Sequence, residues 1–402
     1  MKASNLFLSQ RIELNLEPNE FLKKAGFVLN SFNSQKIMIF PPLGSIFLNK
    51  LEKIISSVLL ENEILPFKLP PIQPFDLWKQ SGRKKDFSDK VVYLKGKTFG
   101  KDKFICSPTN EEVITNFAIK NIESYRNLPL NIYQFDTKIR DDGSSRRGLI
   151  RTNIFPVVEG YSLNENEKSL KESFEKFRDS FEKILNLLEI THYPLEKREG
   201  YITFVANSKK GDTKISHCKC STKIYNPLEK KCNQCGEDYK TQLGLELGCL
   251  MSEKDNYSKV MDSNYISSKG QKSNIFMGTY GLGLTRLLYT IIEQKKDKIG
   301  INWPKIIRPA EVMIIPFRNS QEYLNECAII ENDLKIKGIE TIIDDTTGRF
   351  VKKLERADII GIPNKIIPML GNKKGGIIQY RGETFLKNKT IKDYNKIYSS
   401  LI

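Results

Sequence analysis

Histidine is almost missing from this chain: two of 402 residues, His192 and His217, so no substrate contact built on histidine is evident. Also missing is any apolar stretch near the ~20 residues that would span a bilayer, and the N-terminus carries no basic-then-apolar leader. The expectation is therefore a cytoplasmic protein with no membrane partner. Acidic residues are in deficit, 48 against 64 Lys and Arg, which leaves a formal net charge of +16 and a pI near 9.3. That balance favours a polyanion such as nucleic acid, through phosphate neutralisation and counterion release, over an acidic or neutral partner. The abundance of Lys, Ile and Asn also fits the drift of an AT-rich genome, and the two readings are compatible. Cysteine is scarce, at seven residues. Three of them, Cys106, Cys249 and Cys327, read as isolated buried thiols of a reducing compartment.

The other four cysteines cluster as Cys218-Lys219-Cys220 and Cys232-Asn233-Gln234-Cys235. Two close pairs around a short polar loop can supply a tetrahedral thiolate site for zinc. The second pair has the usual spacing. The first, with a single intervening residue, is tighter than the common two to four or so, and His217 offers a substitute ligand. The competing reading is a reduced, metal-free remnant of a knuckle.

What is present in strength is a set of glycines and arginines. Met277-Gly278-Thr279-Tyr280-Gly281-Leu282-Gly283-Leu284-Thr285-Arg286-Leu287-Leu288 turns from an extended run into an apolar helix. Glycines let the backbone approach a polyphosphate, and Arg286 in the first helical turn adds a fixed positive fork. Upstream, Lys138-Ile139-Arg140-Asp141-Asp142 and Gly148-Leu149-Ile150-Arg151-Thr152-Asn153-Ile154-Phe155 read as two arms of a hairpin. Pairing them brings Arg140 and Arg151 toward one anion and lets Phe155 present a flat face to a base. Each segment alone also fits ordinary turn chemistry or a solvated basic hairpin.

Together these segments resemble motifs 2 and 3 of the class II aminoacyl-tRNA synthetases, and further blocks narrow the resemblance to the bacterial-type prolyl-tRNA synthetases. The blocks are Leu69-Pro70-Pro71-Ile72-Gln73-Pro74, Asp76-Leu77-Trp78-Lys79-Gln80-Ser81-Gly82-Arg83, Ser107-Pro108-Thr109-Asn110-Glu111-Glu112-Val113-Ile114-Thr115, and Tyr125 to Gln134. They stand in the family's order from about Ile37 to the C-terminus.

The resemblance implies an α+β fold, a class II antiparallel sheet flanked by helices, with a C-terminal α/β anticodon-binding domain. It places a catalytic domain at 1–300, with motif 1 at about 37–74, motif 2 at about 138–163 and motif 3 at about 274–294, and the anticodon-binding domain at 305–402. It implies proline and prolyl tRNA as substrates, ATP and Mg2+ as cofactors, and a homodimer built on motif 1. The Cys-rich stretch 206–240 occupies the place of a large editing domain, so proofreading of alanine mischarged onto the tRNA is expected to be absent.

By residue, the resemblance puts Arg140 and Arg286 at the chemical step, Arg140 on the α-phosphate and Arg286 with Arg151 on the γ-phosphate. Phe155 and Arg286 sandwich the adenine and Asp142 meets its exocyclic amine, while Gln242, Gly281 and Gly283 complete the ATP site. Thr109 and Glu111 receive the secondary amine of proline, alongside Arg140 and Thr279. Asp345, Arg349 and Lys353 lie near the anticodon. Competing readings are a helix cap for Asp345, phosphate contacts for the basic pair, and an acidic first helical turn for Glu111 and Glu112.

Several positions depart from the family. Asp142 replaces glutamate, Ser144 an arginine, Ile154 a glutamate, and Val158-Glu159-Gly160 the usual Lys-Asp-Ala. Gly200-Tyr201-Ile202-Thr203-Phe204 lacks a His-Glu pair, and Tyr239 stands where Gly-His precedes the Gln242-Leu243-Gly244 strand. Two functional classes follow: a working but drifted synthetase, or a catalytically inactive relative that binds tRNA or proline. The retained ATP residues favour the first.

Patterning adds a helix over Ile46 to Leu60 with Phe47, Leu51, Ile54, Ile55 and Val58 on one face, either motif 1 or a core helix, and another through Leu170, Phe174, Phe177, Phe181, Ile184 and Leu188. After Trp303-Pro304, strands at Glu311 to Pro316 and Glu340 to Asp345 enclose a helix from about Gln321 to Lys337, a separate α/β unit.

Overall fold

The computed structural model describes residues 1–6, 15–31, 34–83, 90–97, 100–141, 148–218, 220, 223–225, 231–232, 234–370, 375–383, 389–391 and 394–399. They divide into two compact units, Met1–Leu29 with Ile39–Lys50 and Ile291–Ile402, and Asn30–Met38 with Leu51–Thr290. The sequence-based boundary near residue 300 thus misses part of the division. Ala3 and Leu6 are buried in one apolar cluster with Met313, Ile315, Ile342 and Ala357, a long-range contact that no local pattern encodes.

The larger unit is built on a nine-stranded sheet. Its strands are β1 (Leu65–Pro66), β2 (Leu130–Ile139), β3 (Ile154–Asn164), β4 (Tyr193–Arg198), β5 (Tyr201–Asn207), β6 (Thr213–His217), β7 (Lys223–Tyr225), β8 (Lys240–Lys254) and β9 (Phe276–Gly283). The order is β7-β6-β8-β9-β3-β2-β1, with β5 pairing β8 and β4. Every pairing is antiparallel except β1 with β2. The arginine hairpin exists as expected: Lys138 faces Phe155 and Ile139 faces Ile154 across β2 and β3, and the Arg140 N–H donates to the Asn153 carbonyl at 2.8 Å.

Helix α1 (Pro42–Glu61) carries the predicted apolar stripe, and Phe47, Leu51, Ile54, Ile55 and Val58 are all buried in the single chain. The stripe is therefore a core face, and a second copy could meet only what lies outside it. Helix α2 (Glu111–Asn121) opens on two acidic residues. Helix α3 (Glu167–Leu187) starts at an Asn166 cap that accepts the Ser169 N–H at 3.0 Å, and it buries Phe174, Phe177, Phe181 and Ile184. Phe177 stacks on Tyr280 with centroids 3.9 Å apart, and it lies so close to Gly160 that a Cβ there would come within 2.1 Å of its ring. That contact accounts for glycine where the family has alanine: the space for the methyl group is filled by phenylalanine.

Strand β9 runs straight into helix α4 (Leu284–Lys295). Neither Gly281 nor Gly283 has a positive φ, and a Cβ on either would meet no protein atom nearer than 3.5 Å. The protein itself would admit a side chain at both positions. What glycine preserves is a bare strand surface, onto which a ligand can lie directly.

The smaller unit holds a five-stranded sheet of β10 (Val312–Ile314), β11 (Thr341–Ile343), β12 (Asn364–Met369), β13 (Gly375–Tyr380) and β14 (Lys389–Ile391), ordered β11-β10-β12-β13-β14. Strand β10 is parallel to both neighbours, and helices α5 (Gln321–Ile336) and α6 (Phe350–Ile359) complete the α/β pattern. Val312 and Ile314 enter one core cluster and Met313 and Ile315 the other, as expected of a strand buried on both faces. Among the described residues, no helix is long and apolar enough to cross a membrane.

Candidate active site

Proline-rich and aromatic motif residues meet first at Gln73, which is fully buried. Its amide oxygen accepts from the Trp78 indole at 2.8 Å, and its amide nitrogen donates to Ser107 Oγ at 2.7 Å and the Thr109 carbonyl at 2.5 Å. Three sequence blocks are thereby tied into one corner that presents Thr109 and Glu111 to a cavity. A second buried network supports it from β2 and β3. The Lys138 ammonium lies 2.8 Å from both Asp136 and Glu159, and Asn110 donates to Glu159 at 2.9 Å.

Arg83 is the residue that sequence reasoning missed, although it ended a quoted block. Its Nη1 donates to Glu111 Oε2 at 2.9 Å, to Thr109 Oγ1 at 3.2 Å and to Glu112 Oε1 at 3.2 Å. The guanidinium sits 5.1 Å from the Trp78 ring centroid and 5.7 Å from that of Tyr257, a cation–π clamp. Only tertiary packing brings 83 beside 109–112, so no local signal existed for it. The two carboxylates respond differently. Burial works against the charge of Glu111, but Arg83 and Thr109 outweigh it and hold this carboxyl below its ordinary range. Glu112, pushed up first by burial and then by Glu111, rises to about 7 despite Arg83.

This has a consequence for stability. The folded chain keeps the Glu112 proton up to about pH 7, whereas an unfolded glutamate releases it near 4.3 or so. Ionisation therefore favours the unfolded state between those values, and the stability contributed by this group declines as pH rises through that window. Glu112→Gln is expected to flatten the decline, so its Tm relative to the parent chain should climb between pH 5 and pH 8. Parallel Tm curves for the two proteins across that range would refute the assignment.

The cavity, about 330 Å³, is lined by Thr109, Glu111, Arg140, Arg151, Phe155, Thr279, Gly281, Gly283 and Arg286, with Lys138, Glu159 and Tyr161 at one side. Nine residues expected from sequence thus share one space. Arg140 donates through Nε to the Pro108 carbonyl at 2.9 Å, and its guanidinium lies 5.5 Å from the Phe155 ring centroid. Arg286 is anchored by two carbonyls, Ile150 at 3.1 Å and Glu246 at 2.7 Å. Arg151 lies 3.8 Å from Asp212. The space is lined by the Glu111 carboxylate and by three guanidinium groups, Arg140, Arg151 and Arg286, a mixture of charges that suits a small cationic amine joined to a polyphosphate.

Other expected residues lie elsewhere. Gln242 does not line the cavity and instead donates to Asn207 at 2.7 Å. It sits four residues before Glu246 on β8, about 13 Å away along a strand. The segment Gln242-Leu243-Gly244-Leu245-Glu246-Leu247-Gly248 contains Leu-Gly twice, and it is the second copy, Leu247-Gly248, that faces the cavity. Cys249, expected to be a buried isolated thiol, is only partly buried and lines the same space. Asp142 and Ser144 lie outside the described residues.

In the smaller unit Lys353 is only 2% exposed, and its ammonium donates to Asn319 at 2.6 Å and the Asp344 carbonyl at 2.9 Å. It is an internal brace and unavailable to RNA bases, which corrects the sequence-based placement. Asp345 accepts the N–H and hydroxyl of Ser4 at 2.9 and 2.7 Å, closer to the capping reading. Arg349 alone of the three is exposed.

The four clustered cysteines bring their sulfurs within 4.8 Å of one another, with Cys218–Cys232 at 3.3 Å and both Cys220–Cys232 and Cys235–Cys218 at 3.7 Å. Zinc–thiolate bonds of about 2.3 Å place tetrahedral sulfurs about 3.8 Å apart. Four thiolates suit one such ion, and the Cys218–Cys220 pair, 2.8 Å apart, would open by about 1 Å to take it.

The family model described as the tRNA synthetase class II core domain (G, H, P, S and T) matches residues 95–295, and the anticodon binding domain model matches residues 311–371. The proline–tRNA ligase of Pelagibacter ubique is 28% identical over 410 residues, covering 92% of this chain and 91% of that protein. That of Anaplasma phagocytophilum is 29% identical over 399 residues, covering 92% and 90%. Among solved structures, the Giardia lamblia prolyl-tRNA synthetase in complex with prolyl-adenylate has a TM-score of 0.72 at 19% identity, covering 92% of this chain and 73% of that one. The Cryptosporidium parvum prolyl-tRNA synthetase complexed with halofuginone and AMPPNP has a TM-score of 0.70 at 17% identity, covering 96% and 79%. With a class II core over half of its length, an anticodon-binding domain behind it and bacterial prolyl enzymes matching it nearly end to end, the chain belongs to the class II aminoacyl-tRNA synthetases, in their bacterial-type prolyl branch.

Proposed function

We propose that this chain is a working proline–tRNA ligase, which activates proline with ATP and transfers it to the 3′ end of prolyl tRNA. The observation that carries the reading is the shared cavity, lined by Thr109 and Glu111 together with Arg140, Arg151 and Arg286. In the first step the prolyl carboxylate attacks the α-phosphorus in line, and pyrophosphate leaves. No general base is required, because the carboxylate is already ionised at neutral pH. The protein's work is to orient the reactants and neutralise charge in the transition state. Arg140 takes the α-phosphate while Phe155 offers a stacking face to adenine, Arg286 with Arg151 takes the γ-phosphate, and the bare backbone at Gly281 and Gly283 lets the nucleotide lie close. Magnesium, when bound with the nucleotide, would supply further neutralisation of the phosphates beside these arginines. Glu111, kept ionised by Arg83, receives the amine of proline, and Thr109 adds a hydroxyl. In the second step the terminal ribose hydroxyl of the tRNA attacks the prolyl carbonyl and AMP leaves.

We read the four-thiol knuckle as a structural zinc site and Arg349 as a tRNA contact. The protein is placed in the cytoplasm with the translation machinery. A homodimer is supported by Leu60 and Leu65, 49% and 51% exposed beside the buried stripe of α1, and a single-chain mass at micromolar protein would refute it. Absence of editing is supported by the course of the described residues between β3 and β9, where β4 to β8 all join the central sheet.

The test is amino-acid-dependent pyrophosphate exchange with proline against alanine, cysteine, threonine and serine. Exchange selective for proline is expected. Folded protein that binds tRNA but exchanges with none of them would sink the reading.

A further inference from the structure

The cysteine knuckle lies at one end of a short strand whose other end reaches residues supporting the cavity, although nothing in the proposed chemistry uses it. Cys218 directly follows β6, whose other end begins at Thr213. At that end Asp212 lies 3.8 Å from Arg151, and Thr213 Oγ1 donates to Glu246 Oε1 at 3.1 Å. Glu246 in turn offers its carbonyl to Arg286 at 2.7 Å and its carboxylate to Lys197 at 2.6 Å. Strand β6 is thus fixed by a sulfur cluster at one end and touches the supports of two phosphate-facing arginines at the other.

On its inner edge β6 pairs with β8 along its whole length, Thr213 to His217. On its outer edge, among the described residues, its neighbour is β7, three residues long and paired with it over Ile215 to His217. Ile215 packs in a small apolar cluster with Leu195 and Val205. The outer side of the strand is thus the less covered one, and a tie at its end limits local opening there. Residues 218 and 232 are buried while 220 and 235 are exposed, so the cluster closes over the strand end at the surface.

We propose that one thiophilic divalent cation of the zinc class, held by Cys218, Cys220, Cys232 and Cys235, acts as a strut that keeps β6 in place and thereby presets Arg151 and Arg286 for the phosphates of ATP. The proposal rests on reading the cavity as the proline-activating site. Metal loading then controls affinity for ATP and leaves affinity for proline alone, because Thr109, Glu111 and Arg83 are held by the other end of the sheet and by α2.

The purified full chain is assayed for zinc by atomic emission, and cobalt(II) is substituted so that thiolate-to-metal absorption reports ligation without catalysis. ATP and proline affinities are then measured by calorimetry on loaded and chelator-stripped protein, and on Cys220→Ser, Cys235→Ser and Asp212→Asn. The expected result is one ion per chain and an ATP Kd weakened about five- to tenfold on stripping, with the proline Kd unchanged. Asp212→Asn should weaken ATP while keeping its ion, and stripping should then add less than it does in the parent chain, since both changes act through one connection. Four titratable thiols with no cobalt spectrum would overturn the ion. Full ligation with an ATP Kd indifferent to stripping would overturn the strut. Protein that shows the metal-dependent ATP affinity but no proline-dependent exchange would support the strut and remove the prolyl reading.

Discussion

Replacing Arg286 by alanine is expected to lower proline-dependent pyrophosphate exchange by about two to three orders of magnitude, the usual cost of losing one preorganised electrostatic donor at a transition state. The size follows from how the side chain is held. Two of its donors are committed to the carbonyls of Ile150 and Glu246, so the guanidinium is fixed before ATP arrives and no ordering cost falls on the reaction. It is half-buried, and its desolvation lowers its pKa, with Asp212 and Glu246 opposing that shift. A partly desolvated charge acts more strongly on a polyphosphate than a fully solvated one. Lysine would restore the charge without the planar fork, so Arg286→Lys should recover only part of the loss. Calorimetry must show proline still binding to Arg286→Ala, since two orphaned carbonyls could otherwise disturb the sheet. Exchange within a few-fold of the parent in a folded mutant would remove Arg286 from the chemistry.

Arg83→Ala is expected to raise the KM for proline by about two orders of magnitude, the usual scale of misplacing a group by an ångström at a reacting site, and to destabilise the chain by about 3–5 kcal/mol, the cost of stranding buried carboxylates without their partner. Glu111 and Glu112 are both buried, and both lie within hydrogen-bond reach of Nη1 of Arg83. Without that cation burial would push the Glu111 carboxyl up as well as that of Glu112, and Glu111 would present a weaker acceptor to the amine of proline. A purely structural role would lower Tm and leave the kinetics alone, so the informative reading is the pH profile of the proline KM. In the mutant the rise in KM should shrink at alkaline pH, where Glu111 ionises again, while the KM for ATP stays near that of the parent. A proline KM unchanged in Arg83→Ala at every pH would show that the clamp serves only the fold.

Much of the site was legible because its residues come in short blocks whose chemistry is local. Arg140, Arg151 and Phe155 sit on a hairpin whose register follows from alternation, and Gly281, Gly283 and Arg286 sit where a strand becomes a helix. Such features depend on neighbours within about ten residues, and the structure places them together in one cavity. Gln242 was misread for a definable reason. The Leu-Gly pair recurs four residues later on the same strand, and period-two alternation puts both copies on the same face. Only the position of β9, which pairs with Gly248 opposite Leu282, distinguishes them. The resemblance placed Lys353 near the anticodon by its position in the chain alone, whereas here Asn319 and the Asp344 carbonyl bind its ammonium inside the unit.

The sequence by itself determined the order of the motif blocks, the α/β alternation of the C-terminal part and the residue types available for ATP and an amine, and through the family resemblance of those blocks it implied the class II sheet. The direct readings rest on periodicity, turn chemistry and residue identity, all of which act over short separations along the chain. The tertiary structure decided what depends on distant segments. It placed Arg83 on Glu111 and Glu112, put Phe177 into the space beside Gly160, and drew Ala3 and Leu6 into the core of the C-terminal sheet. Each is a contact between segments whose separation in sequence carries no signal, chosen because burial of charge and apolar surface must be satisfied by whatever the closed fold brings near.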